Sequence, residues 1–198
     1  MTKTAHELTA LLGSRICHDL ISPLGAIGNG LELLSMTGAV GAEMTLIAES
    51  VANANARVRF YRVAYGAASQ DQSMGRSEIV SILEDLTRGG RVRVSWTPAT
   101  AVARAEAKLA FLMIQCFETA MPYGGDITVA LSDGVWQIHG RADKLKPMPE
   151  LWEVLNHPAS DHPITPAQVQ FALAPETIRQ LGRKLTLQVH EQDILASY

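Results

Sequence analysis

The sequence predicts an α+β protein: an antiparallel two-helix hairpin over residues 1–68, then an α/β sandwich domain over residues 76–198. Three observations predict it. Two long runs of apolar residues at helical spacing precede residue 65, with one short turn between them. A small and polar passage, GAASQDQSMG at 66–75, then has the composition of a linker. Beyond it, helical runs are interspersed with stretches that alternate apolar and polar, an order that fits helices packed on one face of a mixed sheet.

The first helix is expected from Thr4 to about Met36. Ile16, Leu20, Leu24, Ile27 and Leu31 fall on one of its faces, and Leu8 and Leu12 extend the stripe. Thr37–Gly41, TGAVG, reads as the turn. A second helix, Ala42–Tyr65, places Met44, Ile47, Val51, Ala54, Val58, Tyr61 and Tyr65 in a heptad seam. A lone hairpin leaves much of that surface wet, so two copies forming a four-helix bundle are expected; packing against the rest of the chain is the alternative. After the linker come a helix at Ser77–Thr87, a strand at Val92–Trp96 and an apolar helix at Ala105–Met121. Strands follow at Ile127–Leu131 and Val135–His139, joined by Asp133-Gly134 with its hairpin-turn chemistry. A short helix near Glu150–Leu155, a helix near Ala167–Leu181 and strands at Lys184–His190 and Asp193–Ala196 finish the chain.

The chain has 198 residues, 47% of them hydrophobic and 19% charged, enough to bury a core. A net charge of −3 gives no global electrostatic case for nucleic acid. Neither a signal-peptide pattern nor an apolar run long enough to span a membrane is present, so a cytoplasmic location is expected. Cys17 and Cys116 lie in separate predicted helices without metal spacing and are expected to be free thiols.

His18 is the candidate catalytic residue. It points almost opposite to the apolar stripe, and Ser22, Gly25 and Asn29 continue its face toward the C-terminus of the helix. A surface histidine without a task is the bland alternative. Its company argues otherwise: Pro23 leaves the Asp19 carbonyl without its helical donor, and Gly25, Gly28 and Gly30 each cost about 1 kcal/mol against alanine in a helix. A helix carrying such penalties has a kink or a close approach to accommodate. Residues His18–Leu24, HDLISPL, resemble the phosphoacceptor box of bacterial sensor histidine kinases. The longer stretch Cys17–Leu34, CHDLISPLGAIGNGLELL, looks more closely like the ChpT-type histidine phosphotransferases.

The resemblance implies a homodimeric histidine phosphotransferase of a multistep phosphorelay, with response-regulator receiver domains as partners, among them the receiver of a hybrid kinase. Phosphate would pass between receiver aspartates through a phosphohistidine at His18. It also implies that Asp19 orients or deprotonates His18, though a solvated surface carboxylate fits the sequence equally. Ser22 stands where related kinases place a polar residue that positions water; serine is short for that task, so phosphatase activity is not expected. Arg15, one turn before His18, would meet phosphate oxygens or simply be solvated. A side-chain-free Gly25 would let the receiver approach, and Asn29 would supply a polar contact.

The second domain resembles the ATP-binding domain of histidine kinases in its order of elements, and is informative where it departs from it. Gln115 and Thr119, in LMIQCFETAM, stand at the positions of two asparagines that help hold Mg²⁺ and phosphates. GRADKLKP after Val135–His139 lacks the Asp-x-Gly-x-Gly turn for adenine, and VQFALAPETI replaces a Gly-rich phosphate loop. No ATP binding, no cofactor and no metal are therefore expected here, with Mg²⁺ carried by the partner receiver. A non-enzymatic scaffold that docks a receiver or a histidine kinase is the rival reading, and an ATP-dependent kinase fragment a third. Arg57, Arg59 and Arg62 with Tyr61 and Tyr65 read as a solvated helical face with seam tyrosines, not a nucleic-acid patch. His157 and His162 flank Asp161 without the spacing of a metal site.

Overall fold

A computed structural model describes residues 5–37, 41–68, 71–157 and 160–198. Helix α1 spans Ala5–Thr37 and α2 spans Ala42–Ala64. They pack antiparallel along their lengths. Pro23 lies inside α1, buried, and the helix continues through it. Most of the predicted turn, residues 38–40, lies outside the described residues, as do residues 69–70 of the linker and the Cys17 thiol.

The rest of the chain runs β1 (Ser73–Met74), α3 (Arg76–Thr87), β2 (Val92–Trp96), β3 (Val102–Ala103), α4 (Arg104–Ala120), β4 (Gly125–Ser132), β5 (Val135–Arg141), α5 (Pro149–Asn156), a 3₁₀ turn at Pro166–Gln168, α6 (Val169–Gln180), β6 (Thr186–Val189) and β7 (Asp193–Ser197). The linker expectation is corrected at one point: Ser73 and Met74 pair antiparallel with Ala103 and Val102, and Met74 is buried. Two residues are too few to show an alternation in the sequence.

Five strands form one mixed sheet in the order β2-β4-β5-β7-β6. Among the described strands only β2 and β4 run parallel, and α4 makes the crossover that parallel neighbours require. One face buries Val92, Trp96, Ile127, Val129, Trp136, Ile138, Ile194 and Ala196. Helices α3 and α4 lie on this face, while α6 stacks on α4 and α5 on α6. The opposite face is wet and carries a cross-strand row, Arg93, Asp126, Arg141 and Asp193, of alternating charge. Asp133 at φ 51° and Gly134 at φ 77° make the tight turn between β4 and β5. Gly140 is required for packing: a Cβ there would run into Met121 and Phe117 of the α4 end.

The hairpin shares its lower end with this core. Phe60, Tyr61, Val63 and Ala64 are buried in it, Phe60 stacks on Phe111 at 4.8 Å, and Leu11 and Ile16 pack against it. The upper end differs from the sequence expectation. Leu24 and Leu31 of the predicted core stripe are exposed, together with Ile21, and Met44, Val51 and Val58 of the α2 seam are exposed too. These side chains recur at heptad spacing on both helices, so one chain by itself buries only part of the pattern it encodes.

Candidate active site

The site is built from one turn of α1 and what α2, α4 and α6 bring against it. His18 stands out from α1 with its side chain 84% exposed. Its Nδ1 lies 3.1 Å from Asp19 Oδ1. Asp19 itself is no solvated carboxylate: its side chain is 9% exposed. Its Oδ2 takes Arg15 Nε at 2.6 Å and the Tyr61 hydroxyl, with Arg57 Nη1 at 3.7 Å. One carboxylate therefore gathers donors from two helices.

Burial would raise the Asp19 pKa, but the bond from Tyr61, the His18 contact and the Arg15 charge outweigh it, holding the carboxyl below its ordinary value. An ionised carboxylate only accepts hydrogen bonds, so the proton of the His18 contact belongs on Nδ1 and the lone pair on Nε2. A neutral, exposed imidazole with Nε2 free is a nucleophile.

Arg15 is only 19% exposed, neither solvated nor turned to an incoming phosphate. Its Nη1 donates to the Ala167 carbonyl at 2.7 Å, tying α1 to the 3₁₀ turn before α6. Behind it, Gln170 Nε2 donates to the Ala167 carbonyl at 3.2 Å and to Thr119 Oγ1 at 2.9 Å. Thr119 Oγ1 donates to the Gln115 carbonyl at 2.7 Å, and Gln115 Oε1 accepts from the Tyr65 hydroxyl at 2.8 Å. Tyr65 in turn stacks against Tyr61, centroids 5.1 Å apart. Gln115 and Thr119 thus sit in a polar ring joining α1, α2, α4 and α6. On α4, the exposed Glu118 faces the same charges: crowding by neighbouring atoms raises its pKa, with Arg57 and Arg15 opposing.

Ser22, Gly25 and Asn29 are exposed on the C-terminal side of His18, and a Cβ built on Gly25 meets nothing within 4 Å. Sequence reasoning missed Tyr61, Tyr65, Arg57 and Gln170 as members of this site. Both tyrosines were expected on a dimer seam; instead their rings pack within one chain and their hydroxyls end on Asp19 and Gln115. The usable signals were the i,i+4 pair Arg15–Asp19 and the polar tip that a buried tyrosine must satisfy.

The C-terminal domain of histidine phosphotransferases is the family whose model matches residues 76–193. The protein phosphotransferase ChpT of Brucella abortus (strain 2308) is 34% identical over 203 residues, spanning 100% of this chain and 97% of that protein. The chain belongs to the ChpT family of histidine phosphotransferases. The solved structure of a bacterial phosphotransferase agrees: its TM-score is 0.84 at 33% identity, covering 100% of this chain and 98% of that one. A histidine kinase domain from the Erythrobacter litoralis EL346 blue-light activated histidine kinase is more distant, with 13% identity and a TM-score of 0.45 over 98% of this chain and 91% of that one. Family membership makes this chain a protein phosphotransferase with a phosphorelay role.

Proposed function

We propose that His18 is the phosphoacceptor and that phosphate passes through it from one receiver-domain aspartate to another. The Nε2 lone pair attacks the phosphorus of an aspartyl phosphate; the P–O bond to the receiver carboxylate breaks, and that carboxylate leaves with its electron pair. The reverse step loads the second receiver. The one observation that carries this is the pairing of an exposed His18 with a buried Asp19 that leaves Nε2 unencumbered. Transfer of this kind is mostly positioning and charge neutralisation. The receiver brings its own Mg²⁺, which neutralises the charge on the transferring group.

Ser22, Gly25 and Asn29 form the face on which the receiver lies, while Arg15 acts from beneath by holding Asp19 and the α6 entry. The exposed heptad positions of the upper hairpin join two copies into a four-helix bundle, and the protein works in the cytoplasm. Among the described residues no helix is long and apolar enough to cross a membrane. The second domain takes no nucleotide: Gln115 and Thr119 are engaged with Tyr65 and Gln170, and α6 packs directly on α4.

Replacing His18 by glutamine tests the central assignment. His18→Gln should abolish an acid-labile, base-stable phosphoadduct formed from a radiolabelled phosphoreceiver, with helicity and melting temperature unchanged. An adduct surviving in the variant would refute it, and a folded wild type that never takes label would leave the scaffold reading.

A further inference from the structure

Tyr61 occupies a heptad position of α2, yet its ring is buried within one chain, with Phe60 edge-on at 6.2 Å and Tyr65 at 5.1 Å. A phenylalanine would fill that space as well, so the hydroxyl needs a separate reason. It ends on Asp19 Oδ2, the oxygen that also takes Arg15 Nε at 2.6 Å. The terminal torsion of an aspartate is broad and roughly two-fold. Arg15 comes from the same helix as Asp19 and restrains that torsion from one side. Tyr61 reaches in from α2 and restrains it from another. Two donors on Oδ2 leave Oδ1 as the oxygen presented to His18 Nδ1, 3.1 Å away.

We propose that Tyr61 is a positioning residue for phosphotransfer: through Asp19 it keeps the His18 proton on Nδ1 and the lone pair on Nε2. This rests on His18 being the phosphoacceptor. The groups that face Asp19 are Arg15 and His18 on α1, Arg57, Tyr61 and Tyr65 on α2, and Glu118 on α4. Of these, Tyr61 is the neutral donor on Oδ2. Burial first, and then its bond to Asp19, push the Tyr61 hydroxyl up to about 12, so it keeps its proton throughout the neutral range. Free imidazole favours Nε2–H, the form in which Nε2 has no lone pair to offer. Loosening Asp19 therefore costs nucleophilicity without touching the docking face.

The test uses the whole chain and phosphoramidate, a small donor that needs no docked receiver: Nε2 attacks its phosphorus and ammonia leaves. Long-range ¹H–¹⁵N spectra of the imidazole should show His18 as the Nδ1–H tautomer in the wild type. In Tyr61→Phe the Nε2–H form should gain population, and phosphohistidine formation at neutral pH should slow roughly ten-fold, the loss expected when a charge-assisted hydrogen bond is removed. Asp19→Asn should slow the reaction at least as much, and the double variant should be no slower than Asp19→Asn alone. An unchanged tautomer and rate in folded Tyr61→Phe, or losses that simply add, would overturn the proposal. Should Tyr61→Phe not fold, the wild-type spectrum decides: Nε2–H overturns it and Nδ1–H supports it. Phosphate taken up by His18→Gln would instead remove the underlying phosphoacceptor reading, so the two failures are distinguishable.

Discussion

Asp19 combines a structural role with the chemical one proposed for it. Its carboxylate is nearly buried, which by itself would favour the neutral acid, and it stays ionised because Tyr61, His18 and Arg15 all reward the charge. A carboxyl whose folded pKa lies below its unfolded value contributes stability above the unfolded pKa and loses it as pH falls through the folded one. The unfolded value for aspartate is about 4. The wild type should therefore melt above Asp19→Asn at neutral pH, and the gap should close only as the pH is taken below about 4. Thermal melts of the two proteins across that range read the effect. A gap that persists unchanged well below pH 4 would mean that the ionised Asp19 carboxyl is not what stabilises the fold. The sequence showed the histidine because nothing apolar explained it. It could not show the partners of its neighbour, since Tyr61 lies forty-two positions away and comes near only when the hairpin closes.

At the scale of elements, long periodic segments were legible and short or doubly used ones were not. Strand β2 falls where its alternation puts it, and α4, α6 and the Asp133-Gly134 hairpin lie within a residue or two of expectation, because each carries many repeats of one period or one decisive turn. Strands β1 and β3 carry neither. Helix α2 was misjudged in its last two turns, where Tyr61 and Tyr65 keep the seam's spacing while serving the chain's own core. Helix α1 poses the sharper question of why its middle tolerates glycine. Gly25 lies seven residues after His18, two turns or roughly 10 Å along the axis, on the same exposed side and with open space beyond its Cα. Arginine there should gain about 1 kcal/mol of helix propensity, so Gly25→Arg should melt at or above the wild-type temperature. If the receiver lies on this face, transfer from a phosphoreceiver should still slow ten-fold or more, while phosphorylation by phosphoramidate should not change. Equal receiver kinetics in the folded variant would remove Gly25 from the docking face.

For the whole molecule, the division of the hairpin is the main consequence of the sequence pattern. Below His18's level, its apolar residues are covered by α3, α4 and α6; above it, Ile21, Leu24 and Leu31 on α1 and Met44, Val51 and Val58 on α2 stay wet. Burying an aliphatic side chain fully is worth about 1.5–3 kcal/mol, so this row is a sizeable drive toward self-association, and a heptad repeat on both helices suits a second hairpin better than a flat partner. Val51 is 42% exposed within one chain. Glutamate at that position is harmless to a monomer, since its carboxylate stays in water. In a bundle it would be desolvated without a partner, at a cost of several kcal/mol. Light scattering and thermal melting together separate these cases. Val51→Glu should convert a dimer into a folded monomer or an aggregate and lower the melting temperature, with an effect that depends on protein concentration. A variant with the wild-type mass and melting curve would place the contact elsewhere, leaving the upper hairpin's apolar row without the occupant proposed for it.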